Sequence, residues 1–205
     1  MSGSAWSLYG GMAYALTGTI ASDGWRLRAA SAYGEYRYEG PRWDGREKRD
    51  QRFEGTRASA DLMLGYRHAF GPWIVKLFVG GTLEGHEVTP FDEENVVQGD
   101  RIGYKAALET WLTLGDRAFL HADASIAQTF SAFGSRLRAG YRLSPVWSAG
   151  PEVAIFGHDN YRAGRMGAFA RYEWARGEIS ASGGVSGDQD HAVGSFGTVS
   201  VLIRF

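Results

Sequence analysis

The feature that most constrains this chain is an alternation of apolar and polar residues with period two, repeated roughly ten times along the sequence. Successive side chains of a β-strand point to opposite faces, so each such segment predicts a strand with one apolar and one polar face. Between Thr56 and Arg67 the apolar set is Ala58, Ala60, Leu62, Leu64 and Tyr66, and the other set is Arg57, Ser59, Asp61, Met63, Gly65 and Arg67.

The apolar runs are too short for membrane-spanning helices. Such a helix needs about 18 or more consecutive apolar residues, and Arg, Lys, Asp or Glu interrupts every apolar run here. With 44% hydrophobic residues and a formal charge of -1, the composition is that of an ordinary globular domain. A transmembrane β-barrel has the same composition, because lipid-facing and lumen-facing residues alternate along its strands.

The predicted strands are joined alternately by tight turns and by longer polar segments. The strands fall at about 5–16, 25–38, 56–67, 73–84, 101–112, 120–127, 135–143, 147–156, 164–174, 178–186 and 193–205. The tight turns are Phe70-Gly71-Pro72, Gly115-Asp116-Arg117, Leu143-Ser144-Pro145-Val146 and Ala175-Arg176-Gly177. The longer links are 39–54, 86–100, 157–162 and 187–191, with a short exception at 130–135. Outer-membrane barrels have this asymmetry, with short periplasmic turns and longer extracellular loops.

Aromatic residues collect on the apolar face beside the tight turns, as expected of a membrane girdle. These girdle residues are Trp25, Tyr66, Trp73, Tyr141, Trp147, Tyr172 and Trp174. The alternative is a scatter of ordinary core aromatics. The last strand ends on Phe205, which we also assign to the girdle. A terminal Phe after alternating apolar residues resembles the signal that the barrel-assembly machinery reads.

We therefore predict an all-β fold, a closed antiparallel transmembrane β-barrel of 10–12 strands in the bacterial outer membrane, with residues 1–205 as one domain. Single-chain bacterial barrels have even strand numbers, so twelve is favoured, with one strand missing upstream, and ten applies if segment 5–16 is misread. Residues 1–4 contain no export signal, so we expect a trimmed or replaced N-terminus. The longest extracellular loops are predicted at 39–54 and 86–100.

Charged residues fall on the face that the alternation turns inward. Cations outnumber acids there, which predicts a basic lumen. Two readings stay open: the charges pair into a ladder that fills a narrow barrel, or they line a conduit for anionic or polyhydroxylated solutes. The lumen-lining charged residues are Arg26, Arg28, Arg57, Asp61, Lys76, Glu84, Arg101, Lys105, Glu109, Asp123, Arg136, Arg138, Glu152, Arg165 and Arg171.

No motif for catalysis or cofactor binding stands out. His121, Asp123 and Ser125 point inward in a row on one strand, and a catalytic triad needs them to converge. The five histidines have no metal-ligand spacing, and with no cysteine there are no disulfides or thiolate sites. The Gly-Gly pairs lie in predicted strands instead of a phosphate-binding loop. We expect a non-enzyme with no metal, no cofactor and no nucleic-acid partner.

Several stretches of turn and strand sequence resemble the alphaproteobacterial cellulose biosynthesis protein BcsS family. They are Tyr14-Ala15-Leu16-Thr17-Gly18, residues 23–28 and 33–38, Gly150-Pro151-Glu152-Val153-Ala154, residues 157–162 and Arg165-Met166-Gly167-Ala168-Phe169. The resemblance covers most of the chain and implies a role beside the cellulose synthase system, with no catalytic residues to carry over. Members of the family usually have more strand sequence before the position of Ala5.

Three functions remain open at this stage. The first is a non-catalytic barrel that supports export or surface anchoring of cellulose or a related exopolysaccharide, with outer-membrane lipid and either the polysaccharide or synthase components as expected partners. The second is a small anion-preferring diffusion pore, and the third is a barrel enzyme that acts on lipid or peptide. Aromatic rings stack on sugar faces, and the candidate glycan contacts near the outer mouth are Tyr36, Tyr38, Trp43, Phe91, Phe133 and Tyr161.

Overall fold

The structure is a computed structural model that describes residues 4–43, 48–92, 95–159, 161–189 and 193–204. Eleven antiparallel strands form one sheet in chain order. Their bounds are β1 Ala5–Ala15, β2 Gly24–Trp43, β3 Lys48–Phe70, β4 Trp73–Thr89, β5 Gly99–Leu114, β6 Ala118–Ala127, β7 Phe133–Arg142, β8 Trp147–His158, β9 Tyr161–Trp174, β10 Gly177–Asp188 and β11 Val193–Ile203. A single 3-10 turn lies at Thr129–Ser131. No helix in the described ranges is long and apolar enough to cross a membrane.

The sheet is strongly curled, with a concave and a convex face. The guanidinium of Arg171 on β9 lies 4.8 Å from the ring of Trp111 on β5. The rings of His86 on β4 and His158 on β8 are 6.1 Å apart. In each case four strand intervals separate the two residues, which is about 19 Å in a flat sheet. Contacts across the concave face are possible only because the sheet bends round on itself.

Burial confirms the faces that the alternation predicts. On β3, Leu62 and Leu64 of the convex face are 59% and 43% exposed, whereas Asp61 and Met63 of the concave face are 9% and 1% exposed. The same pattern continues on β4, where Leu77 is exposed and Phe78 is buried. The convex face is therefore apolar, and the concave face holds the charges, the glycines and a set of buried rings.

The two end strands differ from the rest because each pairs with one neighbour only. β1 pairs with β2 and β11 with β10, and the described residues show no pairing between β1 and β11. Nearly every residue of both strands is exposed on both faces. The eleven strands match the eleven segments seen in the sequence. Closure of the barrel and a twelfth strand stay predictions.

The segment predicted as the loop 39–54 is mostly strand, which corrects that assignment. β2 and β3 continue as a hairpin through Tyr38↔Phe53 to Trp43↔Lys48. They contain 20 and 23 residues, about twice what a tilted strand needs to cross a bilayer. The error arose because a strand in water is polar on both faces and loses the alternation that marks a half-apolar strand. The loop at 86–100 is likewise shorter, since β4 extends to Thr89 and β5 begins at Gly99.

Several rings on the concave face lie flat on glycines of the neighbouring strand. Each ring and its glycine are direct cross-strand neighbours, and the missing side chain makes room for the ring. A Cβ atom on Gly140 would lie 2.0 Å from the ring of Phe119. Aromatic residues thus fill the concave face without pushing the strands apart. Three pairs share this geometry: Tyr36 with Gly55, Phe78 with Gly65 and Phe119 with Gly140.

Gly140→Ala should destabilise the fold, because the new methyl group overlaps the buried ring of Phe119. We expect a loss of about 1–3 kcal/mol in the free energy of unfolding, the usual cost of overpacking. Urea titration of the folded protein in detergent, followed by tryptophan fluorescence, measures it. Gly81→Ala is the matched control, since nothing lies within 4 Å of a Cβ there. Equal midpoints for the two variants would contradict the packing described here.

Candidate functional site

The main feature of the concave face is a set of ion pairs between strands. Most of the predicted lumen-lining charges take part, and most of their carboxylates are held by arginine or lysine. For these residues the structure therefore shows the first of the two predicted arrangements, in which the inward charges pair with one another. The pairs are Arg28–Glu109 at 2.8 Å, Lys76–Glu109 at 3.0 Å, Lys105–Asp61 at 2.6 Å, Arg57–Glu84 at 2.7 Å, Arg136–Asp123 at 2.9 Å and Arg138–Glu152.

The ion pairs are of two kinds. Some join direct cross-strand neighbours, as Arg136 on β7 and Asp123 on β6 do. Others cross over intervening strands: Lys105 on β5 reaches Asp61 on β3, and Glu109 on β5 receives Arg28 from β2. The second kind depends on the curl, because these strands are two or three intervals apart.

Arginine side chains also stack on the buried rings, which sequence reasoning did not single out as a group. The ring lies against the sheet, and the guanidinium lies on the side of the ring that faces the concave space. This is a favourable cation–π arrangement. The sequence does offer one sign of these stacks, because the rings occupy inward positions of the alternation that polar residues otherwise take. The stacks are Arg28 over Phe78, Arg138 over Phe169, Arg171 over Phe119 and Trp111, and Arg101 over Phe130.

Arg26 has a structural role that differs from the predicted one. It was assigned to the lumen lining, but its side chain is buried under the turn between β1 and β2. Its guanidinium donates hydrogen bonds to the carbonyls of Thr17 at 3.1 Å, Thr19 at 2.7 Å and Trp25 at 2.8 Å, and to that of Ser22. Carbonyl groups that face inward in this turn are thereby satisfied.

The link between β6 and β7 folds into the concave space instead of projecting outward. Phe130 in this link is fully buried, and its carbonyl accepts a hydrogen bond from the backbone of Asp159 at 2.9 Å. The Thr129 hydroxyl donates to Glu84 at 2.7 Å. Phe130 and Ser131 both have φ of 49°, a left-handed conformation that is costly for residues with a side chain. The strained link is held by these contacts and narrows the concave space at this end.

Glu84 is the centre of a group of titratable side chains. It accepts hydrogen bonds from Arg57 at 2.7 Å and Thr129 at 2.7 Å, and His86 Nε2 lies 3.2 Å from it. The imidazole of His86 packs against the ring of Phe130, 4.8 Å between centroids. A carboxylate with this many partners holds the inward link in place.

The row His121, Asp123 and Ser125 does not converge. The Asp123 carboxylate is bound by Arg136, and the His121 ring lies 5.6 Å from that of Trp111. In the described part of the chain no hydrogen bond joins the three residues, and no three His, Asp or Glu side chains are grouped as a metal site.

The candidate glycan contacts are spread along one end of the sheet. Tyr36 and Tyr38 are stacked 6.1 Å apart and half-buried, and Tyr38 donates to Asp92 at 2.6 Å. Burial and this carboxylate raise the pKa of the Tyr38 phenol, which stays protonated at neutral pH. Phe91 and Tyr161 are exposed, whereas Phe133 is half-buried beside Gly157. The side chain of Trp43 lies outside the described residues.

The predicted girdle residues lie on the convex face near the tight turns. Two of the cross-strand pairs are in ring contact, Trp25 with Tyr66 at 5.3 Å and Trp147 with Tyr172 at 5.0 Å. Trp73, Tyr141 and Trp174 are exposed at the same end, and Phe205 lies outside the described residues.

Removing Arg138 should cost far more stability than removing Arg136. The side chains of Arg138 and Glu152 are 9% and 4% exposed, so Arg138→Gln leaves a buried carboxylate without its cation. We expect a loss of about 3–5 kcal/mol in the free energy of unfolding. Arg136 and Asp123 are 36% and 35% exposed, so Arg136→Gln should cost about 1 kcal/mol or less.

Urea titration of both variants makes the comparison. The double variant Arg138→Met/Glu152→Met should recover most of the loss, since no charge then remains unpaired. Similar losses for Arg138→Gln and Arg136→Gln would refute the ranking.

Comparison with known proteins identifies one family. The family model described as cellulose biosynthesis protein BcsS matches residues 1–205, the whole chain. Searches of curated proteins and of solved structures gave no match.

Proposed function

The chain belongs to the BcsS family of cellulose biosynthesis proteins, and we propose that it is a non-catalytic outer-membrane β-barrel that supports anchoring or export of the polysaccharide at the cell surface. Family membership associates it with cellulose biosynthesis. An all-β sheet with an apolar convex face is compatible with an outer-membrane barrel. The outer-membrane location and the role in anchoring or export are our proposal.

The observation that carries the proposal is the opposite character of the two faces. Large apolar side chains cover the convex face without a covering layer, among them Leu77, Val79, Ile102 and Tyr104, which are 55%, 57%, 81% and 79% exposed. In water so large an apolar surface would drive aggregation. In hydrocarbon it is the favoured outer face, and the charges lie on the concave face away from lipid.

We propose that the sheet closes into a barrel of about twelve strands in the membrane. Within the described residues, the backbone groups on the outer edges of β1 and β11 have no strand partner, and such groups are costly in hydrocarbon. The convex face stays apolar up to these edges, with Leu8 and Met12 on β1 and Val199 and Val201 on β11. One further strand between β1 and β11 satisfies both edges and gives an even number.

The filled concave face favours anchoring over free passage. Ion pairs cross the space between strands, and Phe130 narrows one end. An open diffusion pore needs a water-filled centre. Exposed Phe91 beyond β4 and the long β2–β3 hairpin lie at the end away from the tight turns, where a glycan at the cell surface would meet them.

Single cysteines test the location and orientation, because the natural sequence contains none. Ser131→Cys lies in the link between β6 and β7, at the end of the sheet that carries the long links, and Arg117→Cys lies in the tight turn between β5 and β6 at the opposite end. Both positions are exposed. In intact cells a membrane-impermeant maleimide should label Ser131→Cys, and it should label Arg117→Cys only after the outer membrane is permeabilised. Labelling of Arg117→Cys in intact cells would contradict the proposed orientation, and labelling of neither after permeabilisation would contradict exposure of both positions.

Deletion of the protein should reduce the cellulose retained on the cell surface. Cellulose is measured separately on washed cells and in the medium, with cellular synthase activity as a further readout. Complementation with Phe91→Ala should retain less cellulose than the unaltered protein, since an aromatic platform for sugar is lost. Phe70→Ala, an exposed ring at the opposite end, is the control and should complement fully. A deletion strain with unchanged surface cellulose would overturn the proposal.

A further inference from the structure

Arg165 differs from the other concave-face cations. Its guanidinium lies between two rings, 4.6 Å from the centroid of Phe156 on β8 and 5.3 Å from that of Phe196 on β11. The Nε atom is buried without a hydrogen-bond partner. Within the described part of the chain no carboxylate lies within ion-pair distance of Arg165, which is unlike Arg57 or Arg138.

The direct cross-strand neighbours of Arg165 have short side chains. Across the sheet it faces Ser186 on β10, which in turn faces Gly194 on β11. On the other side it faces Ala154 on β8. These side chains are too short to reach past the guanidinium, so the bulky groups that flank it are the rings of Phe156 and Phe196.

Two acids lie diagonally across from Arg165, Asp188 on β10 and Glu152 on β8, and both have partners of their own. Glu152 accepts hydrogen bonds from Arg138 and from Ser182, the latter at 3.2 Å. Arg101 is a second cation without a carboxylate partner among the described residues, and it stacks on Phe130 at 4.2 Å and donates to the Val96 carbonyl at 3.4 Å. Within the described residues, Arg165 thus combines a charge without a carboxylate partner, a guanidinium flanked by two rings and cross-strand neighbours with short side chains.

We propose that Arg165 is a binding site for the carboxylate of a small polar solute such as a uronic acid. A guanidinium held in one plane presents parallel N–H donors that match the two oxygens of a carboxylate. The Ser186 hydroxyl lies on the adjoining strand at the same level, where it can bond a sugar hydroxyl. This site is independent of the role in cellulose biosynthesis, because it concerns binding by the folded protein alone.

Isothermal titration calorimetry of the purified, folded protein in detergent tests the site. Glucuronate is the probe, and glucose, which has the same ring without the carboxylate, is the neutral comparison. Glucuronate should bind and glucose should not. Arg165→Gln should weaken glucuronate binding by roughly tenfold or more. Arg165→Lys should weaken it by less, because the ammonium keeps the charge but lacks the paired N–H donors of a guanidinium.

Two further variants keep the test decisive. Arg136→Gln makes the same charge change at a paired arginine and should leave glucuronate binding unchanged. Ser186→Asp keeps Arg165 but places a carboxylate beside it, and it should abolish binding even if Arg165→Gln fails to fold. Heat-modifiable migration on gels identifies folded variants. Equal binding of glucose and glucuronate, unchanged binding in Ser186→Asp, or an equal loss in Arg136→Gln would overturn the proposal.

Discussion

Ion pairing across the concave face is the interaction on which the rest of the structure depends. Glu109 binds Lys76 from the neighbouring strand and Arg28 from three strands away, and Lys105 reaches Asp61 in the same manner. Such pairs exist only in a curled sheet, and they in turn oppose flattening. Because a charge left alone in this space would be costly, the curl, the pairing and the apolar convex face form one cooperative arrangement.

Glycine and aromatic residues allow this arrangement to fit. The ring of Phe78 occupies the place of a side chain on Gly65, and Arg28 lies over the ring before it reaches Glu109. The sheet backbone, the aromatic ring and the guanidinium thus form successive layers. A bulkier residue in place of Gly65 would move the ring and, with it, the arginine that the ion pair needs.

The alternation of residues, together with the turns, was sufficient to predict eleven strand segments and their two faces, although not the full length of β2 and β3. Period two assigns a side chain to a face, but it contains no information on which residue two or three strands away will meet it. The pairing of Lys105 with Asp61 and the inward link at Phe130 therefore could not be predicted. The β2–β3 extension was missed because Tyr38 and Phe53 stack outside the region where one face must be apolar.

The distribution of charge compensation explains why a filled concave face can still hold a ligand. Ion pairs are numerous where the long inward side chains of β2 to β9 meet. They are few beside β10 and β11, whose inward residues are mainly serine, threonine and glycine. Arg165 stands at the boundary between these regions, with rings of β8 and β11 in place of a carboxylate. Rings orient a guanidinium without neutralising it. Within the described residues, Arg165 is therefore a cation that lacks a carboxylate partner and is oriented by two rings, and these are two properties that recognition of an anion requires.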